Sequence, residues 1–335
     1  MTPRRFLVVG SGSIARRHID NLRLFFPGSS VGCVSASGRQ LSGADVGVET
    51  VRYVSVAEAV KSRPSFAIVA SPAPLHGLHA AELLRNDIPV LIEKPLSSSV
   101  ETLKDQLNVL YENEHRVDIA YNLRNLLAAQ KVKTIIESQQ LGRIYSVLAE
   151  VGQYLPDWRP KSDYRKNVSA RKELGGGVLL ELSHELDYIS WLFGEVERVY
   201  CVASTSGALE IDVEDNVDAI LNLKSGLIVN LHMDFLQRSP ERRCKIIGQN
   251  GTVIWDVLHN SIILSSGGRS EELFRDECYD RNDMYMEEIV HFDKVASGNA
   301  NPKVGLRHAL AVLSVVDALH LSSQTKMPVE IGTVE

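Results

Sequence analysis

Cysteine is scarce in this chain and badly placed for joint work: Cys33, Cys201, Cys244 and Cys278 are the only four in 335 residues, and no two stand at Cys-x-x-Cys spacing. That pattern excludes a zinc ribbon and the disulfide framework of a small secreted domain, leaving reduced thiols as the simplest state. His232, His259, His291, His308 and His320 are scattered singly, so no metal is expected. Basic excess is missing too. A formal net charge of −6 argues against a general nucleic-acid binder, because tracking phosphates needs positive surface. No apolar run approaches the ~18 to 20 residues of a membrane span. The opening stretch M-T-P-R-R-F-L-V-V-G puts basic residues before apolar ones but meets Gly10 too early for a signal-peptide core, so a cytoplasmic location is expected.

What is present is the composition of an ordinary globular protein, 44% hydrophobic and 23% charged, with length for about two domains. In the first third, short apolar runs at 6–9, 31–34, 66–70, 89–92 and 117–121 alternate with helix-like stretches at 14–25, 74–85 and 99–113. Such alternation predicts an α/β fold with a doubly wound parallel sheet, and continuous apolar runs predict strands covered on both faces. After Tyr121 the pattern changes. A helix-like segment at 125–139 leads to strand-like runs at 143–154, 196–206, 215–223, 227–235 and 241–256, then to helix-like stretches at 283–297 and 304–322 and a short strand at 328–331. The expected organisation is a dinucleotide-binding domain over 1–121 and an α+β domain with an open, mostly antiparallel sheet over 122–335.

The first strand is followed by G-S-G-S-I-A. In this G-x-G-x-x-A fingerprint Gly10 makes the tight turn, Gly12 lets backbone approach a pyrophosphate, and Ala15 permits close helix packing. The N–H groups of Ser13, Ile14 and Ala15 at the helix start would face the phosphates. About twenty residues on, an NAD site usually presents Asp or Glu to the ribose hydroxyls. This chain instead has S-A-S-G-R, so Ser35, Ser37 and Arg39 favour the 2′-phosphate of NADP(H) over NAD(H).

Two further stretches carry chemistry. V-L-I-E-K-P-L, residues 90–96, runs a core strand into the charged neighbours Glu93 and Lys94 and stops at Pro95, at the sheet edge where ligands of such folds bind. G-G-G-V-L-L-E-L-S-H-E-L-D-Y-I-S-W-L-F-G, residues 175–194, predicts a single amphipathic helix after a glycine entrance that leaves space, with Glu181, His184, Glu185 and Tyr188 on one face. That face is either solvated or an acid/base pair built on Glu181 and His184.

Taken together, the fingerprint, A-S-P-A-P-L-H at 70–76, E-K-P at 93–95, Y-N-L-R at 121–124 and G-G-G…H-x-x-D at 175–187 resemble the Gfo/Idh/MocA family of NAD(P)-dependent sugar oxidoreductases across nearly the whole chain. The resemblance implies an N-terminal Rossmann domain, an open-sheet C-terminal domain, hydride transfer at a sugar hydroxyl, and association through the open sheet as a homodimer or homotetramer. It implies that Lys94 lies beside the nicotinamide and the substrate hydroxyl, that His184 is the acid/base, and that Ser71, His76 and Glu93 border the cofactor. One departure is that many members have Asp four residues before the histidine, whereas here Glu181 stands three before His184. Glu181 joins the catalytic set in an open role. Asp187 reads as a structural group, and His18 and His79 as helix residues that cap or pack.

Residues 152–172 hold six basic side chains against Asp157 and Asp163 in an otherwise acidic chain. Tyr154, Trp158 and Tyr164 alternate with Arg159, Arg165 and Arg171, and aromatic faces suit sugars or bases while arginines suit phosphate or carboxylate. With Arg124 these residues predict a small-molecule partner that is an anionic sugar, either a nucleotide sugar or a sugar acid of surface-glycan metabolism. Two other readings keep the fold: an oxidoreductase or lyase that retains its nucleotide through the cycle, and an inactive redox sensor.

Overall fold

The computed structural model describes residues 4–332; residues 1–3 of the opening stretch and residues 333–335 at the end of the second expected domain lie outside the described residues. In chain order the elements are β1 (Arg5–Val9), α1 (Ser13–Phe25), β2 (Ser30–Val34), α2 (Gly43–Val46), β3 (Val51–Tyr53), α3 (Val56–Ala59), β4 (Phe66–Val69), α4 (His76–Leu84), β5 (Val90–Ile92), α5 (Leu107–Glu112) and β6 (Val117–Ile119). Then come α6 (Leu127–Glu137), β7 (Ile144–Gly152), α7 (Val178–Glu181), α8 (His184–Phe193) and β8 (Val196–Ser204). The strands β9 (Asn216–Leu223), β10 (Ile228–Asp234), β11 (Glu241–Gly248), β12 (Gly251–Asp256), β13 (Ser261–Ser266) and β14 (Arg269–Arg275) follow, before α9 (Asp283–Ala296), α10 (Leu306–Thr325) and β15 (Val329–Glu330).

These elements form two compact units, one made of the chain through Asn122 with Arg281–Leu313, the other of Leu123–Asp280 with the chain from Ser314 onward. Residues 281–313, assigned from sequence to the second domain, therefore pack with the first unit. The apolar face of α9 explains this: Ile289, Phe292 and Val295 enter the same buried core as Phe6, Phe66 and Ile68. The Phe66 and Phe292 rings meet edge to face at 5.3 Å. Polar contacts reinforce the join, since Asp118 on β6 accepts the backbone N–H groups of Lys303 and Val304, both at 2.8 Å. An amphipathic pattern tells which face of a helix is buried, not which core receives it.

The first unit's sheet has the order β3-β2-β1-β4-β5-β6, with every pair parallel. Strands β4, β5 and β6 are buried along their whole length, as the continuous apolar runs require. The edge strand β3 was not expected, because V-R-Y is short and its first two residues are exposed.

The second unit is built on a nine-stranded sheet, β14-β13-β12-β11-β7-β10-β9-β8-β15. It is antiparallel except between β10 and β7. Alternation along β8, β9 and β10 buries one face and leaves the other open. On the open face the register aligns Tyr200, Ile220, Asn230, Leu148 and Lys245 in one row, beside a second row of Asp218, His232, Glu150 and Arg243 whose charges alternate. The expected run at 241–256 is a hairpin of β11 and β12. Strands β13 and β14 were missed because S-I-I-L-S-S and R-S-E-E-L-F-R carry too much polar and charged content to read as core strands.

Candidate functional site

In the first unit the chain leaves β1 at Gly10 with φ +130°, and a Cβ there would come within 2.2 Å of the Ala70 carbonyl oxygen. Only glycine can occupy that position. The close approach is fixed on both sides, since Gly10 N–H donates to Val34 O and Ala70 N–H to Val9 O, each at 2.8 Å. At Gly12, by contrast, a Cβ would meet no atom within 4 Å, so the space before it is clear of protein. Among the described residues no side chain caps α1, and Ala15 is fully buried beneath its first turn. An uncapped helix start beside a clear glycine position is the kind of arrangement that suits a dinucleotide pyrophosphate.

Beyond β2, Ser35 is buried and its hydroxyl lies 3.2 Å from that of Ser37. Arg39 reaches back toward the glycine loop, with Nη2 3.5 Å from Ser11 Oγ, and forms a 2.7 Å ion pair with Asp45. Asp45 also accepts from the backbone N–H and hydroxyl of Ser42 at the start of α2. The Arg39 guanidinium holds the Asp45 carboxyl below the usual carboxylate range. An acid does stand near the exit of β2, on α2, and there it pairs with the arginine.

At the exit of β5, Glu93 is 7% exposed and Lys94 is half-buried, and the Lys94–Pro95 peptide is cis. Glu93 Oε1 lies 2.7 Å from His18 Nε2, and its Oε2 accepts the Lys94 backbone N–H at 3.3 Å. His76, expected to border the cofactor, is 1% exposed, with Nδ1 2.8 Å from Pro95 O and Nε2 2.7 Å from Ser71 O. Burial pushes its pKa down against the pull of those two carbonyls. His76 therefore ties the exits of β4 and β5 together from behind, and His79 adds a 3.0 Å contact to the Ser71 hydroxyl.

In the second unit the expected single helix is two: α7 ends at Glu181 and α8 begins at His184. The glycines do not leave space at the entrance. A Cβ at Gly176 would strike Val168 O at 2.3 Å, and one at Gly177 would strike the Glu214 carboxylate at 2.5 Å. They let the 168–171 turn and Glu214 pack against the start of α7. Glu181 accepts from Ser169 Oγ at 2.9 Å. The polar face of α8 is not solvated either, because Glu185 and Asp187 are fully buried and each receives a two-pronged arginine. Arg242 Nε and Nη2 meet the Glu185 oxygens at 2.8 and 2.9 Å, and Arg124 Nε and Nη2 meet those of Asp187 at 3.0 and 2.7 Å. Half-buried His184, at the first turn of α8, is placed by a helix clamped at its next residue and three residues on. Arg124 is 5% exposed and stacks 5.2 Å from the Trp191 ring, so its charge is already answered within this unit.

The basic segment is likewise partly committed. Arg165 pairs with Asp163 and Glu210, Arg171 pairs with Glu173, and the Tyr164 hydroxyl accepts from Glu210 N–H at 3.3 Å. Trp158 packs edge-on against Phe235 at 5.2 Å and donates to Gln153 O. Arg238, not singled out from sequence, stacks 3.5 Å from the Tyr154 ring. Arg159 is exposed. Sequence reasoning also missed the pairings of His18 with Glu93 and of Arg242 with Glu185, whose members lie 75 and 57 positions apart, beyond any local spacing rule, and it passed over Asp45, which no motif singled out. Among the described residues no group of three or more His, Cys, Asp or Glu could hold a metal ion, and no helix is long and apolar enough to cross a membrane.

Residues 4–121 match the model of the oxidoreductase family with an NAD-binding Rossmann fold, and residues 129–254 match the GFO/IDH/MocA C-terminal domain. The chain is 23% identical over 340 residues to a 1,5-anhydro-D-fructose reductase of Ensifer adhaerens, covering 98% of this chain and 99% of that one. In fold it is similar to the WlbA dehydrogenase of Bordetella pertussis, solved with NADH and UDP-GlcNAcA, at TM-score 0.78, 22% identity and 99% coverage of both chains. It is also similar to levoglucosan dehydrogenase, solved with NADH and levoglucosan, at TM-score 0.83 and 17% identity, covering 99% of this chain and 100% of that one. The chain belongs to the Gfo/Idh/MocA family of NAD-binding sugar oxidoreductases.

The buried ion pairs on α8 generate a stability test. Removing one partner leaves a buried charge uncompensated, so Asp187→Leu and Glu185→Leu should each cost about 3–5 kcal/mol in urea unfolding. The double change Arg124→Met with Asp187→Leu should recover most of that loss. A single-variant cost below about 1 kcal/mol would mean that these pairs do not hold the helix.

Proposed function

We propose that this family member is a cytoplasmic NADP(H)-dependent oxidoreductase that moves a hydride to or from the hydroxyl or carbonyl carbon of an anionic sugar. A nucleotide sugar or sugar acid of surface-glycan metabolism is the substrate class. The observation that carries the cofactor choice is Arg39 standing beside the Ser11 hydroxyl of the glycine loop, with Ser35 and Ser37 at the exit of β2 where an NAD site presents an acid. A 2′-phosphate would compete with Asp45 for the guanidinium, as a dianion against a single carboxylate. The substrate class rests on the aromatic and basic segment at 152–172, and it agrees with the sugar acid nucleotide bound by the B. pertussis protein of similar fold.

In this reading the bound nicotinamide supplies or accepts the hydride, and the chain's own groups manage the proton. Lys94 hydrogen-bonds the reacting oxygen and stabilises negative charge as it develops. His184 takes the hydroxyl proton in oxidation, or returns one in reduction. Glu181 orients the imidazole. With Arg165 and Arg171 paired inside the unit, exposed Arg159 is the arginine offered to the substrate's anionic group, beside Trp158 and the Tyr154–Arg238 stack. A homodimer or homotetramer forms through the open face of the second unit's sheet, where Tyr200, Val202, Ile220 and Leu148 are 40–51% exposed beside the alternating charge row.

Fluorescence titration should show NADPH binding more tightly than NADH, and Arg39→Ala should weaken NADPH by roughly tenfold or more with little change for NADH. Asp45→Asn should tighten NADPH binding. Equal affinities in the unaltered protein would overturn the cofactor choice.

Assayed over matched neutral and anionic sugars, the protein should prefer the phosphorylated, nucleotide-linked or carboxylated member of each pair. Lys94→Ala and His184→Ala should each lower turnover by ~10² to 10⁴-fold with cofactor binding nearly intact. Arg159→Ala should raise KM for the anionic substrate by on the order of tenfold and leave NADPH affinity alone. Near-normal turnover in either of the first two variants removes that residue from the mechanism.

For the assembly, sedimentation should report a dimer or tetramer, and Ile220→Asp with Leu148→Asp should shift it to monomer. A monomer in the unaltered protein would refute the proposed association.

A further inference from the structure

On the open face of the second unit's sheet the register strings four charges straight across four neighbouring strands: Asp218 of β9, His232 of β10, Glu150 of β7 and Arg243 of β11. Their side chains are 63%, 35%, 28% and 52% exposed, so the row faces outward. His232 Nδ1 lies 2.8 Å from Asp218 and its Nε2 3.1 Å from Asp234. The hydrogen bond with Asp234, ahead of the one with Asp218, lifts the His232 pKa to about 9 against the pull of burial. At neutral pH the row therefore reads minus, plus, minus, plus. It is also held firmly, since Asp234 accepts the backbone N–H groups of Leu236 and Gln237, and Arg243 meets Glu150 through Nε at 3.1 Å and Nη2 at 2.9 Å.

A row of alternating sign and even length is its own complement when reversed. Two copies of a sheet that face each other across a two-fold axis running along the strands set each row against its own reversal, because the rotation exchanges left and right and keeps strand direction. With the axis above the seam of the parallel pair β7 and β10, Asp218 faces the partner's Arg243 and His232 faces the partner's Glu150, each contact occurring twice. Moving the axis by half a strand spacing opposes like charges. Over β10, His232 meets its own copy and Asp218 meets Glu150; over β7, Glu150 meets its own copy and His232 meets Arg243. Moving it by a whole spacing takes a partner away, since Asp218 then faces the buried Ser261 of β13, or Arg243 passes beyond the row's end. Opposite charges brought together fix a register, and like charges exclude its competitors. The same axis lies near the middle of the sheet, with five strands on one side and four on the other, so exposed Leu148, Ile220 and Tyr200 beside the row are covered too.

We propose that this chain pairs with a second copy of itself about that axis, the charged row setting the register through two Asp218–Arg243 and two His232–Glu150 contacts between copies. The proposal rests on the association through the open sheet given above, and it adds which residue meets which.

Charge reversal tests it. Asp218→Lys sets a positive charge against the partner's Arg243, and Arg243→Glu sets a negative one against the partner's Asp218. Each variant alone should associate on the order of tenfold more weakly in sedimentation equilibrium. Mixed in equal amounts, the two should form a one-to-one species, read by native mass spectrometry from their different masses. In that species the two reversed charges face each other, and the unaltered Arg243 and Asp218 still meet. Repulsion within each chain is the same alone and mixed, so recovery on mixing comes only from contacts between copies. A second measurement needs no variant: association of the unaltered protein should weaken several-fold between about 50 and about 500 mM NaCl as the contacts are screened. An oligomer that either reversal leaves unchanged, that shows no preference for the one-to-one species when folded variants are mixed, or that is indifferent to salt would overturn this pairing and leave association through the open face standing. A monomeric unaltered protein would overturn both.

Discussion

Charge withdrawn from water has to be answered inside the protein, and that constraint organises both units. In the first, Glu93 is withdrawn by the burial of the β5 exit and is answered by His18 across 75 positions of sequence. In the second, Glu185 and Asp187 are withdrawn when the inner face of α8 packs down, and two arginines from different segments answer them. The arginine pairs fix geometry more tightly than apolar contact would, because two-pronged hydrogen bonds tolerate little displacement. Lys94 and His184 each follow or precede such a withdrawn carboxylate by one residue. The polar pairs and the candidate chemical groups are neighbours in sequence because strand ends and helix starts are where side chains can be both anchored and presented.

Much of this was readable from the chain alone, and the boundary of legibility has physical causes. Buried parallel strands announce themselves as unbroken apolar runs, and a glycine fingerprint between strand and helix has one good structural interpretation. Edge strands do not announce themselves: β3 and β14 lie at sheet edges with mostly exposed side chains, and β13 beside β14 is half serine. The break between α7 and α8 was hidden because the apolar spacing of Val178, Leu182, Leu186 and Ile189 continues across it. Partners distant in sequence were invisible, so His18 read as packing and Glu185 as a candidate for solvent.

The basic segment shows the same limit from the other side. Composition counts charges but cannot tell which are already spoken for. Of the arginines that stood out between 152 and 172, Arg165 and Arg171 find acids close by, while Arg159 stays exposed. Asp45 repeats the lesson at the cofactor end, where an acid eleven positions beyond β2 pairs with the arginine that the motif suggested would stand alone.

The chain's path between the units also bears on how the molecule is made. The first unit is begun at the start of the chain, set aside while Leu123–Asp280 are laid down, and completed only by Arg281–Leu313. A ribosome therefore delivers the parallel sheet long before it delivers Ile289 and Phe292, which cover part of that sheet's core. Until then, apolar surface that belongs inside stays exposed on a nascent chain, at the stage when aggregation competes most strongly with folding. The domain synthesised first is the one that has to wait, and its dependence on a late segment makes the nascent chain, rather than the finished protein, the stage most in need of a chaperone.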